Sequence, residues 1–71
     1  MRADRILRKH LRTRFIITTK AGQTWDGLVL DADDRIIILA DVESVGSDGT
    51  RTSAAGQVFI PRPDVAYMQH P

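Results

Sequence analysis

The sequence contains no cysteine, only two histidines and no long apolar run. Without cysteine, disulfide bonds and thiolate metal sites are excluded, and the redox compartment stays undetermined. No apolar run approaches the roughly 20 residues that a membrane-spanning helix needs, and the arginine-rich start lacks the apolar core of a secretory signal. We therefore expect a cytoplasmic protein.

The sequence also lacks a convincing set of nucleophile, base or metal ligands. His10 and His70 are its only histidines, and isolated histidines are far more often surface residues than ligands or bases. Asp31, Asp33 and Asp34 have two interpretations. They are either a hard-cation or acid/base site, or a turn in which aspartates bond their own backbone, and the turn is favoured. We expect no enzyme, no cofactor and no metal.

The charge of the chain is unevenly distributed. Its 71 residues carry a net charge of +1, but residues 1–20 hold seven basic and one acidic side chain, and residues 21–71 hold three basic and eight acidic ones. The basic segment either attracts phosphate or covers acidic surface on its own or a neighbouring subunit. A chain this short is near the lower limit for a self-sufficient core, so oligomerisation would supply missing burial.

The residue pattern predicts a short helix followed by five strands. Ile6, Leu7 and Leu11 share one stripe at helical spacing within residues 3–12. Extended segments are predicted at 13–19, 23–32, 35–45, 57–60 and 64–68, with a hairpin turn at 46–49. The polar arm 50–56 that returns from this turn is expected to be mobile. In the last strand Val65 is expected to pack, with Tyr67 a further candidate.

The second predicted strand has apolar residues on both faces. Trp25 and Val29 alternate on one side, and Leu28 and Leu30 on the other. A small antiparallel sheet normally keeps one face wet, so the other face needs a covering helix, a subunit interface or both. Gly27 in the same strand predicts a sharp bend or a close approach of backbones, which a short sheet needs to curl into a barrel.

Two segments resemble the signatures of the Sm and Sm-like (LSm/Hfq-like) proteins. The first has Gly22, Gly27 five residues later, Asp33 six residues after that, a polar pair and the aliphatic run 36–39. The second is Val-Phe-Ile-Pro-Arg-Pro-Asp-Val-Ala-Tyr-Met at 58–68. The spacing after the aspartate is closer to the bacterial RNA chaperone Hfq than to the eukaryotic Sm proteins. The resemblance implies a mainly β fold in one domain, 1–71, with a short amino-terminal helix and a strongly bent five-stranded antiparallel SH3-like barrel.

The resemblance also implies a ring of six or seven subunits in which the fourth strand pairs with the fifth strand of the next subunit. Single-stranded RNA binds the family's rings between subunits, at the turn after the second strand and the turn before the fifth. There the Hfq-like glutamine and aromatic correspond to Asp34 and Arg35, and the lysine-histidine pair to Arg62 and Pro63. The Sm-type asparagine corresponds to an isoleucine. The base-stacking aromatic, the asparagine and the histidine are therefore replaced.

The leading hypothesis is a non-catalytic, homo-oligomeric Sm-like ring that binds single-stranded RNA, from a bacterium or phage. Arginine can both stack on a base and bind phosphate, so basic residues are the predicted contacts. They are Arg35, Arg62, Arg5, Arg8, Lys9 and Arg12. The alternative is a protein-interaction or assembly module that keeps the barrel and has lost the RNA pocket. A single-subunit barrel like an SH3 domain is the third hypothesis.

Overall fold

The computed structural model describes residues 12–71 of the chain, which form one antiparallel sheet of six strands. The strands are β1 (Arg14–Thr19), β2 (Thr24–Ala32), β3 (Ile36–Val45), β4 (Arg51–Ala54), β5 (Val58–Pro61) and β6 (Val65–Gln69), with a 3-10 turn at Arg62–Asp64. Their order in the sheet is β4-β3-β2-β1-β6, and β5 also pairs with β3. The strands β4 and β5 thus lie at one edge of the sheet and β6 lies at the other.

The core is built from residues that alternate inward along the strands. In β1 the inward residues are Phe15, Ile17 and Thr19, as expected for a strand with one buried face. The other buried apolar side chains come from β2, β3 and β5, and they are Val29, Ala32, Ile37, Leu39, Val42 and Ile60. Four adjoining strands therefore share one apolar centre, and β6 packs Val65 and Met68 against its margin.

A β-bulge bends the pairing between β2 and β3. The register shifts between Asp26 and Leu28, so that Gly27 lies opposite an extra residue of β3. The backbone of Asp41 adopts a left-handed φ of 52° there, and the inward positions of β3 skip from Leu39 to residue 42. A bulge of this kind raises the local twist and turns the strands around the core.

Gly27 allows β2 and β3 to approach closely at this bend. A Cβ atom added to Gly27 would lie 3.1 Å from Val42 Cγ2 and 3.2 Å from Leu39 Cβ. Those distances are tighter than most contacts of a real Cβ atom, and both neighbours belong to the core. The close approach predicted for Gly27 is confirmed.

The turns expected from glycine and aspartate are present. Gly22, with φ of 90°, closes the turn between β1 and β2 and donates its N–H to the carbonyl of Thr19 at 3.0 Å. In the β3–β4 hairpin Gly49 has φ of 86°, and its N–H donates to Gly46 O at 2.9 Å. Glycine reaches these positive φ values without a steric cost, which accounts for its position in both turns.

The strand count differs from the prediction. The arm 50–56, expected to be mobile, contains β4, which pairs with Val42–Val45 of β3, so there are six strands rather than five. Its polar and small residues concealed the strand because edge strands are held by backbone hydrogen bonds more than by buried side chains. Gly56, with φ of 74°, separates β4 from β5.

Two further expectations concern the chain ends. The helix predicted at 3–12 lies outside the described residues except for Arg12, whose φ of 63° is not helical. Within residues 12–71 no helix is long and apolar enough to cross a membrane.

The prediction that Tyr67 packs was wrong, because its side chain is 55% exposed. The last strand has the predicted length but begins and ends one residue later, at Val65–Gln69, and after it the ring of His70 meets Phe15 edge-on, with 5.3 Å between centroids.

Candidate functional site

The turn between β2 and β3 and the turn between β5 and β6 meet, and their arginines lie together. The backbone N–H of Arg62 donates to the carbonyl oxygen of Arg35 at 2.8 Å. The Arg62 guanidinium donates from Nη1 to the carbonyl oxygen of Asp33, also at 2.8 Å. These two turns, residues 33–35 and 61–64, are called the two-turn site below. Its hydrogen bonds hold the Arg62 side chain against the first turn.

Asp33 shapes the first of these turns through its own backbone. Its Oδ1 accepts the N–H of Arg35 at 2.7 Å and the N–H of Ile36 at 2.8 Å. These two hydrogen bonds favour the ionised form and hold the pKa of Asp33 below its ordinary value. The turn interpretation of this aspartate is confirmed. No cluster of three or more metal-binding side chains occurs among the residues that the structure describes.

Asp34 and Arg35 present exposed side chains next to Arg62, and the charges of both arginines act on the nearby Asp33 carboxylate. Both residues are exposed, and within residues 12–71 no ion pair or side-chain hydrogen bond involves the carboxylate of one or the guanidinium of the other. A carboxylate only accepts hydrogen bonds when ionised, and a guanidinium only donates them. The two-turn site therefore combines one fixed cation with a free acceptor and a free donor.

The remaining predicted binding residues are not part of this site. Arg5, Arg8 and Lys9 lie outside the described residues. Arg12 is exposed, and its backbone N–H bonds the carbonyl of Val29 in the middle of β2. Of the six predicted contacts, the structure brings together Arg35 and Arg62.

A cluster of five charged side chains joins four strands on the outer surface, and the sequence pattern did not predict it. Arg14 contacts Asp26 at 3.1 Å and Asp41 at 2.9 Å. Arg51 contacts the same Asp26 at 2.7 Å and Glu43 at 3.1 Å. We call these residues the charge cluster. Arg14 belongs to the basic first twenty residues, so for this residue the positive charge covers acidic surface of its own subunit.

Asp26 is the centre of the charge cluster, and its side chain is only 13% exposed. Partial desolvation opposes its ionisation, but the hydrogen bonds and charges of Arg51 and Arg14 outweigh that effect, so the pKa of Asp26 lies below its ordinary value. A carboxylate with a lowered folded-state pKa stabilises the fold above the unfolded pKa, near pH 4, and the contribution is lost as the pH falls. The charge cluster should therefore weaken in acid.

Replacing Asp26 by asparagine is expected to lower the free energy of unfolding by about 1–2 kcal/mol at pH 7, because both arginines lose the charged partner that they share and keep only Asp41 or Glu43. The deficit should shrink as the pH falls below about 4, where the wild-type carboxylate takes up its own proton. Urea unfolding of both proteins between pH 3 and pH 7 measures this. Asp34→Asn, which removes an unpaired exposed carboxylate, is the control and should show no such deficit. A pH-independent deficit in Asp26→Asn would contradict the assignment.

Two large aromatic side chains are exposed at opposite edges of the sheet. Phe59 on β5 is 56% exposed and Tyr67 on β6 is 55% exposed. Phe59 also borders a cleft of about 490 Å³ that Trp25 and Lys20 line from the β1–β2 side. The alternation of Phe59 with buried Ile60 was the sequence signal for its outward position. A chain that paired with either edge would cover one of these rings.

Comparison with known proteins gives a fold likeness. A scan against protein-family models and a search of curated protein sequences found no match. Among solved structures, a heptameric archaeal Sm protein is similar with a TM-score of 0.84 at 15% identity, over 94% of this chain and 97% of that one. A chain of the NatC complex bound to CoA is similar with a TM-score of 0.78 at 21% identity, over 92% of this chain and 83% of that one. The protein therefore has an Sm-like fold.

Proposed function

We propose that this chain is a non-catalytic protein that assembles into a closed homo-oligomeric ring. The similar archaeal Sm protein is heptameric. In this chain β5 has only β3 as a partner and β6 has only β1 within the described sheet, so each has an unpaired outer edge. Pairing β5 of one subunit with β6 of the next satisfies both edges and buries Phe59 and Tyr67. A head-to-tail contact that closes on itself leaves neither of these two edges open for further growth.

The ring binds single-stranded RNA at the two-turn site in this proposal. The observation that carries it is the placement of Arg35 and Arg62, with Arg62 fixed at 2.8 Å on Asp33 O and Arg35 free beside it. A fixed guanidinium offers a flat face on which an unstacked base can lie, and a free one can hold phosphate. Arg12 and the basic residues Arg5, Arg8 and Lys9 would add phosphate contacts.

Arg62→Ala and Arg35→Ala should each weaken RNA binding about tenfold or more, because base stacking and phosphate contacts are both lost and one tenfold step needs only about 1.4 kcal/mol. The measurement is fluorescence anisotropy with uridine-rich and adenosine-rich oligomers, on protein stripped of co-purified nucleic acid. Affinity should fall steeply between low and physiological salt, since phosphate contacts release counterions.

Arg51→Ala is the matched control for that experiment. It removes the same charge from a guanidinium that is already paired with Asp26 and Glu43, so binding should stay near the wild-type level. An equal loss of RNA affinity in all three variants would show that the effect depends only on the net charge of the protein. Binding no stronger than that of an unrelated basic peptide would refute the RNA proposal.

A protein-assembly module is the second candidate function. One observation favours it: a chain of the NatC complex bound to CoA, an assembly of proteins, has the same fold over 92% of this sequence. The exposed rings of Phe59 and Tyr67 would then meet a different protein. A defined complex with a protein partner that survives nuclease treatment and gel filtration, and is lost in Phe59→Asp, would support this function.

A further inference from the structure

Asp34 and Arg35 offer hydrogen-bonding groups of opposite kind on adjacent residues of the two-turn site. The Asp34 carboxylate has two acceptor oxygens, and the Arg35 guanidinium has a fork of N–H donors. Both side chains are exposed and have no side-chain partner within residues 12–71. A ligand that fits them must present a pair of donors next to a pair of acceptors.

Guanine is the RNA base with that pattern. Around its perimeter the amino group N2 and the N1–H are adjacent donors, and O6 and N7 are the adjacent acceptors that follow them. Arginine binds O6 and N7 with two hydrogen bonds, and a carboxylate accepts from amino groups. Adenine and cytosine each offer a single amino donor on their pairing edge, and uracil offers one N–H between two carbonyls. None of these three can use both oxygens of a carboxylate and both arms of a guanidinium.

We propose, on the basis of the RNA-binding function above, that the two-turn site selects guanine in single-stranded RNA. The Asp34 carboxylate accepts N1–H and N2–H, and the Arg35 guanidinium donates to O6 and N7. Arg62 supplies the stacking face. Its Nη1 is bonded to the carbonyl of Asp33, which belongs to the peptide bond leading into Asp34, so the guanidinium lies within one residue of the selecting carboxylate.

Asp34 places a negative charge in this site, which a surface that only binds phosphate would not have. A carboxylate repels the RNA backbone, and its presence beside two arginines lowers affinity for every strand that does not compensate for it. Guanine compensates by satisfying both carboxylate oxygens. Asp34 thus weakens binding to other bases and strengthens binding to guanine. The difference between these two affinities is the selectivity of the site.

The test is a set of four uridine oligomers of equal length that carry, at every third position, guanine, inosine, 2-aminopurine or adenine. Inosine lacks the N2 amino group, and 2-aminopurine lacks the N1–H and O6. Anisotropy titrations at one salt concentration should give the tightest binding for guanine, about tenfold or more tighter than adenine, with inosine and 2-aminopurine between them.

Asp34→Asn is the informative variant. It should abolish the preference of guanine over inosine while strengthening binding to the adenine oligomer, because a repelling charge is lost and one acceptor becomes a donor. Asp31→Asn removes an exposed carboxylate from β2, outside the two-turn site, and should preserve the preference. Thermal unfolding of both variants checks that the fold is kept.

The outcomes separate the two proposals. Equal affinity for the four oligomers, or an Asp34→Asn variant that binds all four more tightly by the same factor, overturns guanine selection and leaves RNA binding in place. No binding of any oligomer to the wild-type ring overturns RNA binding itself, and guanine selection with it.

Discussion

Replacing Gly27 by valine is expected to lower the free energy of unfolding by about 3 kcal/mol or more, at the upper end of what overpacking costs. The first added atom already lies 3.1 Å from Val42 Cγ2 and 3.2 Å from Leu39 Cβ, and both residues are buried. The two extra methyl groups of valine then have no free volume, so β2 and β3 must separate at the bend. A domain of this size has only about 4–10 kcal/mol of total stability. Chemical denaturation followed by tryptophan fluorescence measures the change, since Trp25 lies two residues away on the same strand.

Two control variants, Gly27→Ala and Thr52→Val, test whether the loss of stability comes from overpacking at the bend. Alanine needs a shift of only a few tenths of an ångström, and the loss of glycine's flexibility stabilises a strand by about 0.5–1 kcal/mol, so its net effect should be much smaller. Thr52 is exposed on β4, and a β-branched apolar residue there should leave stability within about 0.5 kcal/mol. A Gly27→Val protein as stable as wild type would show that the bend does not depend on backbone proximity.

Replacing Phe59 by aspartate is expected to convert the proposed ring into monomers at micromolar concentration. Burying a phenylalanine contributes about 1.5–3 kcal/mol, and about 2.8 kcal/mol corresponds to a hundredfold change in affinity at each interface. Aspartate also brings an unpaired charge into a contact that excludes water. Because one substitution alters every interface of a homo-oligomer, the ring should fail cooperatively. Native mass spectrometry and light scattering after gel filtration measure the mass.

Ser47→Asp serves as the control for assembly. It adds the same charge at the exposed tip of the β3–β4 hairpin, outside the two strands β5 and β6 that are proposed to pair, and its ring should remain intact. A Phe59→Asp protein that keeps the wild-type mass would show that β5 is not the assembly edge. A wild-type protein that is itself monomeric would instead support the single-subunit barrel.

The parts of the fold that sequence reasoning predicted are those set by local stereochemistry. Gly22 and Gly49 have positive φ values, which glycine tolerates best, and both turns were expected from it. Gly27 was expected to allow a close approach, and Val42 and Leu39 are the residues that come close. Alternation and β-branched runs predicted the inward faces of β1 and the first half of β3.

Features that depend on register were not predictable in the same way. The left-handed φ of Asp41 shifts the inward positions of β3. An aspartate within a strand does not by itself predict a β-bulge, so the shift could not be expected from the sequence. The charge cluster depends on how four strands are aligned, because its contacts join residues 8 to 27 positions apart in the sequence. The strand β4 is held by backbone pairing along an exposed edge, so its side chains show no pattern of burial from which the strand could be predicted.

The convergence of Arg35 and Arg62 came from the family resemblance, since no local pattern links two turns 27 residues apart. The resemblance also showed which binding residues had been replaced. It did not show how the new residues are arranged, namely that Arg62 bonds the Asp33 carbonyl while Asp34 and Arg35 stay unpaired. Those details decide the chemistry of the site.

The break at Gly56 has a consequence for the behaviour of the unassembled protein. It divides the long edge beside β3 into two segments, Arg51–Ala54 and Val58–Pro61, of four residues each. The second segment ends in a proline, which has no N–H to donate to an adjoining strand. Neither segment of this edge is therefore long enough to pair with another extended chain in amyloid-like stacking, which needs six or seven residues in register. If the proposed ring forms, its separate subunits should accordingly resist aggregation before they assemble.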